Sequence, residues 1–194
     1  MGKIELEIKY QIKDPGLIKS KLKKIGARFI KRELEQDKWF AQDIAGFTGL
    51  NPIRLRITKS GGTLTLKGPY LKSRYKKRLE LQLKIDDPET LVKILEKIGF
   101  REGRRIEKIR ETYRYKNSYI LLDKLPFMGH HVEIEGSDEK IGMITKMLGL
   151  DEDKGIKESY SDLFNLYKMV KATKDARYKD VDLTFQSESR VRKI

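Results

Sequence analysis

Charged and apolar residues alternate, one for one, in segment after segment of this chain. Successive side chains on a β-strand point to opposite faces, so each such segment sorts into a charged face and an apolar face. Near the N-terminus Glu5, Glu7 and Lys9 share a face against Ile4, Leu6, Ile8 and Tyr10. The pattern returns with Arg54 and Arg56 against Ile53, Leu55 and Ile57, and with Thr65 and Lys67 against Leu64 and Leu66. It sets Lys76, Arg78, Glu80 and Gln82 against Lys77, Leu79, Leu81 and Leu83. Lys108 and Arg110 flank Ile109, Asp123 follows Leu122, and Glu133 and Glu135 alternate with Val132 and Ile134.

The strand-like segments are linked by recognisable turns and helices. ELEIKYQIKDP from Glu5 and RLELQLKIDDP from Arg78 align without gaps, and the amphipathic stretches after them end in Gly26 and Gly99. A looser third copy, Val132 to Gly149, repeats the strand–turn–helix–Gly order, and glycine is the usual residue just past a helix end. This reads as pseudo-symmetry inside one domain. Further strands are expected at 36–42, 53–59, 63–68, 106–115 and 118–124, with a hairpin around Ser60-Gly61-Gly62. The sum is eight strands and three helices, an α+β chain whose antiparallel sheet closes into an eight-stranded barrel.

An ordinary small barrel is apolar inside, and here one strand face is almost purely Glu, Asp, Lys and Arg. A half-buried sheet with a solvated charged face is one way to read this. The other places the apolar faces outward under the helices and turns the charged faces into a lumen. Buried charge is tolerable when it is cross-paired and built to bind something charged. The inward acids are then Glu5, Glu7, Glu80, Asp123, Glu133 and Glu135, suited to a hard cation such as Mg²⁺ or Mn²⁺. The inward bases are Lys9, Arg54, Arg56, Lys67, Lys76, Arg78, Lys108 and Arg110, suited to phosphate oxygens. A net charge of +14 points the same way, to an anionic partner. With no cysteine and only the adjacent His130 and His131, thiol chemistry and Cys- or His-type metal sites lack ligands. No apolar run is long enough to span a bilayer and no signal-peptide core is seen near the N-terminus, so a cytoplasmic protein without membrane partners is expected.

At these residues the sequence closely resembles the CYTH family, the triphosphate tunnel metalloenzymes. The resemblance is carried by Glu5-Leu6-Glu7-Ile8-Lys9, Asp37-Lys38-Trp39-Phe40, Arg54-Leu55-Arg56, Leu64-Thr65-Leu66-Lys67-Gly68-Pro69, Lys76-x-Arg78-x-Glu80, Lys108-x-Arg110, Leu122-Asp123, Val132-Glu133-Ile134-Glu135 and Ser159-Tyr160-Ser161-Asp162-Leu163. It covers residues 1–167, with 168–194 left as a C-terminal helical or mobile tail. It implies a tunnel open at its ends that holds a nucleoside triphosphate or inorganic polyphosphate. Glu5, Glu7, Glu133 and Glu135 would be metal ligands, assisted by Asp123 and Glu80, with Glu5, Glu7, Lys9, Glu133 and Glu135 the catalytic set. The basic residues, Lys9 included, would hold phosphates. Gln82 stands where many members carry a second acid, which favours Glu80 as the partner of a base. Within the family the motifs look most like the class IV adenylate cyclase branch, which converts ATP to cyclic AMP and pyrophosphate. Inorganic or thiamine triphosphatase activity, or polyphosphate binding without catalysis, are the alternatives.

Nucleic acid is a poor fit as partner, because acids interleave with the bases on the same face. A homodimer is a further expectation. Trp39 and Phe40 read as core aromatics, with Trp39 also a candidate to stack a base at one tunnel end. Tyr160 is expected to pin the last helix, Met143 and Met147 to lie in the core, and the two histidines to sit in a turn without binding anything.

Overall fold

The computed structural model describes residues 2–42 and 53–192. Eight strands form a closed barrel in the order β1-β5-β4-β3-β2-β6-β7-β8. They are β1 (Lys3–Ile12), β2 (Arg28–Gln42), β3 (Ile53–Thr58), β4 (Gly61–Tyr70), β5 (Lys76–Ile85), β6 (Phe100–Tyr115), β7 (Ser118–Leu125) and β8 (Gly129–Glu135). Every neighbouring pair is antiparallel. The α+β class and the closed eight-stranded barrel are as the alternation demands.

The internal repeat has a physical basis in its turns. Asp14 caps α1 (Pro15–Lys24), its carboxylate accepting from the backbone N–H of Gly16 at 2.8 Å and Leu17 at 3.1 Å. Asp87 caps α2 (Pro88–Lys97) in the same way through Thr90. In both, proline opens the first turn, where its missing N–H leaves no bond unmade. Gly26, Gly99 and Gly149, after α1, α2 and α3 (Asp138–Met147), take positive φ values of 77°, 92° and 61°, the left-handed geometry that ends a helix.

Two helices follow the three of the repeats: α4 (Tyr160–Ala172), the last helix that Tyr160 was expected to pin, and α5 (Phe185–Arg192), inside the segment expected to be helical or mobile. β2 starts at Arg28 rather than 36 and β6 at Phe100 rather than 106. Their early halves were missed because polar residues occupy both faces there. The β3–β4 turn is Lys59-Ser60, since Thr58 already pairs with Gly61. His130 and His131 lie on β8, not in a turn. Met143 packs against the core but Met147 stays 37% exposed.

The apolar faces do point outward. Ile8, Tyr10, Ile120, Leu122, Val132 and Ile134 of β1, β7 and β8 meet Ile18 and Leu22 of α1, Ile141 and Ile144 of α3, and Leu148 just past its end. α2 sends Leu95 against Phe40 and Leu55. Cover is incomplete, however: Ile4, Leu66, Leu79, Leu81 and Leu83 on the outer face of β1, β4 and β5 remain exposed, because the helices lie over the other strands.

The tunnel is also not open equally at both ends. α4 lies across one mouth, where Ile106 and Leu125 pack with Tyr160, Phe164 and Leu183. The chain beyond residue 167 supplies part of this stopper. Leu183 accepts from the Glu107 N–H at 2.7 Å, the Glu107 carboxylate accepts from Phe185 N–H, and Glu188 accepts from Phe127 N–H. Residues 193 and 194 of the expected tail lie outside the described residues. Leu183 is fully buried, so Leu183→Ala should lower the unfolding free energy by about 2–5 kcal/mol. Urea denaturation reads this directly, and an unchanged midpoint would show that the C-terminal segment adds nothing to the core.

Candidate active site

All the charged residues singled out by alternation lie on the inward faces, and most line one cavity of about 290 Å³. They do not form a uniform mixture. Across β2, β3, β6 and β7 the charges are consumed by one another. Arg56 donates to both oxygens of Asp37, at 2.7 and 2.8 Å, and lies 2.9 Å from Glu35. Lys108 is also 2.9 Å from Glu35. Arg110 forms a two-pronged pair with Asp123 at 2.7 and 2.6 Å and reaches Glu133 at 3.3 Å. Burial alone would raise the carboxyl groups of Glu35 and Asp37. The surrounding Lys108 and Arg56 outweigh it and hold both below the usual range.

A second region carries surplus negative charge. Carboxylate oxygens of Glu5, Glu7 and Glu135 lie within 4.8 Å of one another, placed there by adjacent strands that bring Glu7 opposite Glu135. Burial, the nearby Glu7 charge and a hydrogen bond with Glu80 push Glu5 up to about 7. Burial, then Glu133 and Glu5, push Glu135 well above the ordinary value. Glu7 is the exception: despite its burial, Lys9 at 2.6 Å and Lys76 at 2.7 Å hold it low. Three clustered hard oxygen donors suit Mg²⁺ or Mn²⁺. Glu5, Glu7 and Glu135 are thus the residues that could hold an ion. Of the other acids expected there, Glu133 lies 3.2 Å from Lys9, Glu80 pairs with Lys67, and Asp123 is taken by Arg110. Gln82 Nε2 donates to Glu80 at 3.1 Å, in keeping with a salt-bridge role for that acid.

Beside this acid cluster, on β3, β4 and β5, lies surplus positive charge. Arg54 donates to Thr65 at 3.3 Å and comes only within 3.9 Å of Asp37. The Nε atoms of Arg54 and Arg78 find no hydrogen-bond acceptor among the described residues. Burial and the neighbouring Arg56 lower the Arg54 pKa, burial and Arg54 bring Lys67 down to about 8, and burial with Lys9 lowers Lys76. Lys67 and Arg78 share the single acid Glu80, the latter at 3.3 Å, and Lys76 shares Glu7 with Lys9, so the cations outnumber their acids and offer donors suited to phosphate oxygens.

Sequence reasoning missed part of the site. Glu35 and Asp37 of β2 are buried lumen acids. The alternation Glu33-x-Glu35-x-Asp37-x-Trp39 could have found them, but Gln36 and Lys38 on the opposite face blurred it. Tyr160 does more than pin α4: it lines the cavity, and its hydroxyl donates to Asp123 at 2.9 Å. His131 shares the inward face of Glu133 and Glu135, is buried, and meets the Tyr160 ring edge-on at 5.4 Å.

A sequence model of the CYTH domain matches residues 3–160. A Methanocaldococcus jannaschii protein named "Putative adenylate cyclase" is 32% identical over 174 residues, covering 84% of this chain and 99% of that protein. The chain therefore belongs to the CYTH family. A Vibrio parahaemolyticus structure, also described as a "putative adenylate cyclase", superposes with a TM-score of 0.74 at 20% identity, covering 85% of this chain and 99% of that one. A Hippeastrum protein described as having a dominant triphosphatase activity superposes with a TM-score of 0.61 at 16% identity, over 86% and 96%. The last two likenesses show the shared fold. No helix among the described residues is long and apolar enough to cross a membrane.

The electrostatics make a pH prediction. An acid whose folded-state pKa is raised stabilises the fold below its ordinary value, and that contribution is lost as pH rises through the folded value. Glu5 and Glu135 should therefore make the metal-free protein lose melting temperature as pH rises from about 5 towards 8. His131, brought down to about 4 by burial, acts in the opposite sense, so the comparison is with Glu5→Gln. Differential scanning calorimetry should show a shallower loss in that variant, and Mn²⁺ should raise Tm more at pH 8 than at pH 5. Equal slopes in the two proteins, or an equal Mn²⁺ effect at both pH values, would contradict the assignment.

Proposed function

We propose that this protein is a divalent-metal-dependent enzyme acting on a triphosphate held in the lumen, and that its reaction is the conversion of ATP to cyclic AMP and pyrophosphate. The observation that carries this reading is the juxtaposition inside one cavity of a carboxylate cluster, Glu5/Glu7/Glu135, and a group of cations, Arg54/Lys67/Lys76/Arg78, that outnumber their acid partners Glu7 and Glu80. A metal ion with a polyphosphate complements both poles at once. The name of the Methanocaldococcus relative supports the choice of reaction.

Glu5, Glu7 and Glu135 would hold the ion, which when bound supplies charge neutralisation and Lewis-acid polarisation of phosphate oxygens. Arg54, Lys67, Lys76 and Arg78 bind the phosphate chain and offset the charge that develops on it. Lys9 lies between Glu7 and Glu133 and fixes the position of both. Arg56, Lys108 and Arg110 stiffen the opposite wall through their acid partners. In the proposed reaction the ribose 3′-oxygen bonds to the α-phosphorus as the bridging bond to the β-phosphate breaks. Pyrophosphate leaves, and the hydroxyl proton passes to a lumen carboxylate. The same groups serve a triphosphatase if water attacks the terminal phosphate instead.

Incubation with Mg²⁺ or Mn²⁺ and either ATP or tripolyphosphate separates the readings. Cyclic AMP with pyrophosphate is the expected result, free phosphate makes the enzyme a hydrolase, and tight binding without product makes it a sensor. Glu7→Gln and Glu135→Gln should each abolish metal-dependent turnover with the barrel intact by circular dichroism, and near-normal rates in both would refute the metal site. The two arginines of β3 should separate. Arg54→Ala should weaken tripolyphosphate binding by about 1.5–3 kcal/mol, measured by calorimetry. Arg56→Ala should instead destabilise the fold by about 3–5 kcal/mol, because it strands Glu35 and Asp37 in the interior.

A further inference from the structure

The charged lumen does not end in solvent at every point of the stoppered mouth. Beside the start of α4 a second cavity of about 410 Å³ opens, within the size range of small-molecule sites. Trp39 and Arg78 line both this cavity and the lumen, so the two spaces meet at those side chains. Their chemistry differs. The inward face of β2 runs Glu35, Asp37, then Trp39, passing from acid to aromatic at the junction. Tyr70, at the end of β4, also lines the second cavity and is 58% exposed. Its ring centroid lies 5.3 Å from the Arg78 guanidinium carbon and 5.9 Å from Lys76 Nζ. An aromatic ring therefore stands directly over two members of the phosphate-binding pole.

The backbone makes room for this cavity. The β2–β6 register is continuous up to Lys38↔Arg105 and resumes at Phe40↔Glu102. Gly103 and Arg104 therefore together face the single residue Trp39. Such a bulge re-aims side chains at a barrel rim. Gly103 adds no side chain, and both bulge residues line the cavity.

We propose that this cavity is the nucleoside subsite, in which Trp39 and Tyr70 hold the planar base of a nucleoside triphosphate whose phosphates run inward past Arg78. The inference rests on the reading of the lumen as a triphosphate site and adds what selects the substrate. Phosphate contacts alone cannot tell ATP from inorganic tripolyphosphate, whereas an aromatic pair at the mouth favours any ligand that carries a base. Stacking of this kind tolerates different bases, so the pocket accounts for a preference for nucleotides over inorganic chains without selecting among bases.

Trp39 is the single tryptophan of the chain and stands where this pocket meets the lumen, so the contribution of a base is read as the difference in its fluorescence between a ligand with a base and one without. The ligands are 3′-deoxy-ATP, which lacks the hydroxyl needed to cyclise, and tripolyphosphate, each titrated with Mg²⁺. The expected result is strong quenching or a spectral shift with 3′-deoxy-ATP and little change with saturating tripolyphosphate. Tyr70→Ala, at a solvent-exposed position, should cut the preference for 3′-deoxy-ATP over tripolyphosphate roughly tenfold. Equal spectral responses to the two ligands, or a preference unchanged in Tyr70→Ala, would overturn the nucleoside pocket while leaving the triphosphate site standing. Failure of both ligands to bind by calorimetry would overturn the two together.

Discussion

A buried charge must be paired, and the whole architecture follows from how this barrel meets that demand. Moving an ion from water into a protein interior costs several kcal/mol even after relaxation. The lumen contains Lys9, Glu35, Lys67, Lys76, Glu80, Lys108 and Glu133, each buried. Most are neutralised within the protein by contacts of 2.6–3.3 Å, as in the Arg110–Asp123 and Lys9–Glu133 pairs. The pairing is uneven in two adjoining places: Glu5 and Glu135 crowd Glu7, and Lys67 and Arg78 share Glu80 beside Arg54. A ligand bound there would complete the electrostatic pairing instead of competing with it.

The fold serves this by reversing the usual arrangement of a small barrel. The apolar strand faces look outward and build their core with α1, α2 and α3, so the inside is free to be polar. The repeated strand–turn–helix unit gives that cover from three places with one local design, an aspartate cap or acidic first turn at one end and a left-handed glycine at the other. α4 and the C-terminal segment then close much of one mouth, and Tyr160 couples that closure to the site through Asp123.

Much of this was legible because strand alternation is a rigid geometric rule. Once Glu5, Glu7 and Lys9 were set on one face, the fate of Arg54, Arg56, Lys67, Lys76 and Arg78 followed by the same count of two. The rule failed where both faces are polar, as at Glu33 to Lys38, so Glu35 and Asp37 went unseen as lumen acids. Alternation also says which way a side chain points but not which partner it finds. The sequence could not show that Glu133 would settle on Lys9 and Arg110 while Glu135 joined Glu5 and Glu7. Nor could it show the stopper, because Leu183 and Phe164 meet Ile106 only through long-range packing.

Divalent-ion binding at the Glu5/Glu7/Glu135 cluster should release protons near neutral pH, because burial and neighbouring carboxylates raise Glu5 and Glu135 while Lys9 and Lys76 keep Glu7 low. Calorimetric titration with Mn²⁺ at pH 6.5, in two buffers of different ionisation enthalpy, tests it most directly. The expected result is an apparent binding heat that shifts with buffer, corresponding to proton release as the ion displaces protons from Glu5 and Glu135. Mn²⁺ binding with the same heat in both buffers, or no Mn²⁺ binding at all, would contradict it.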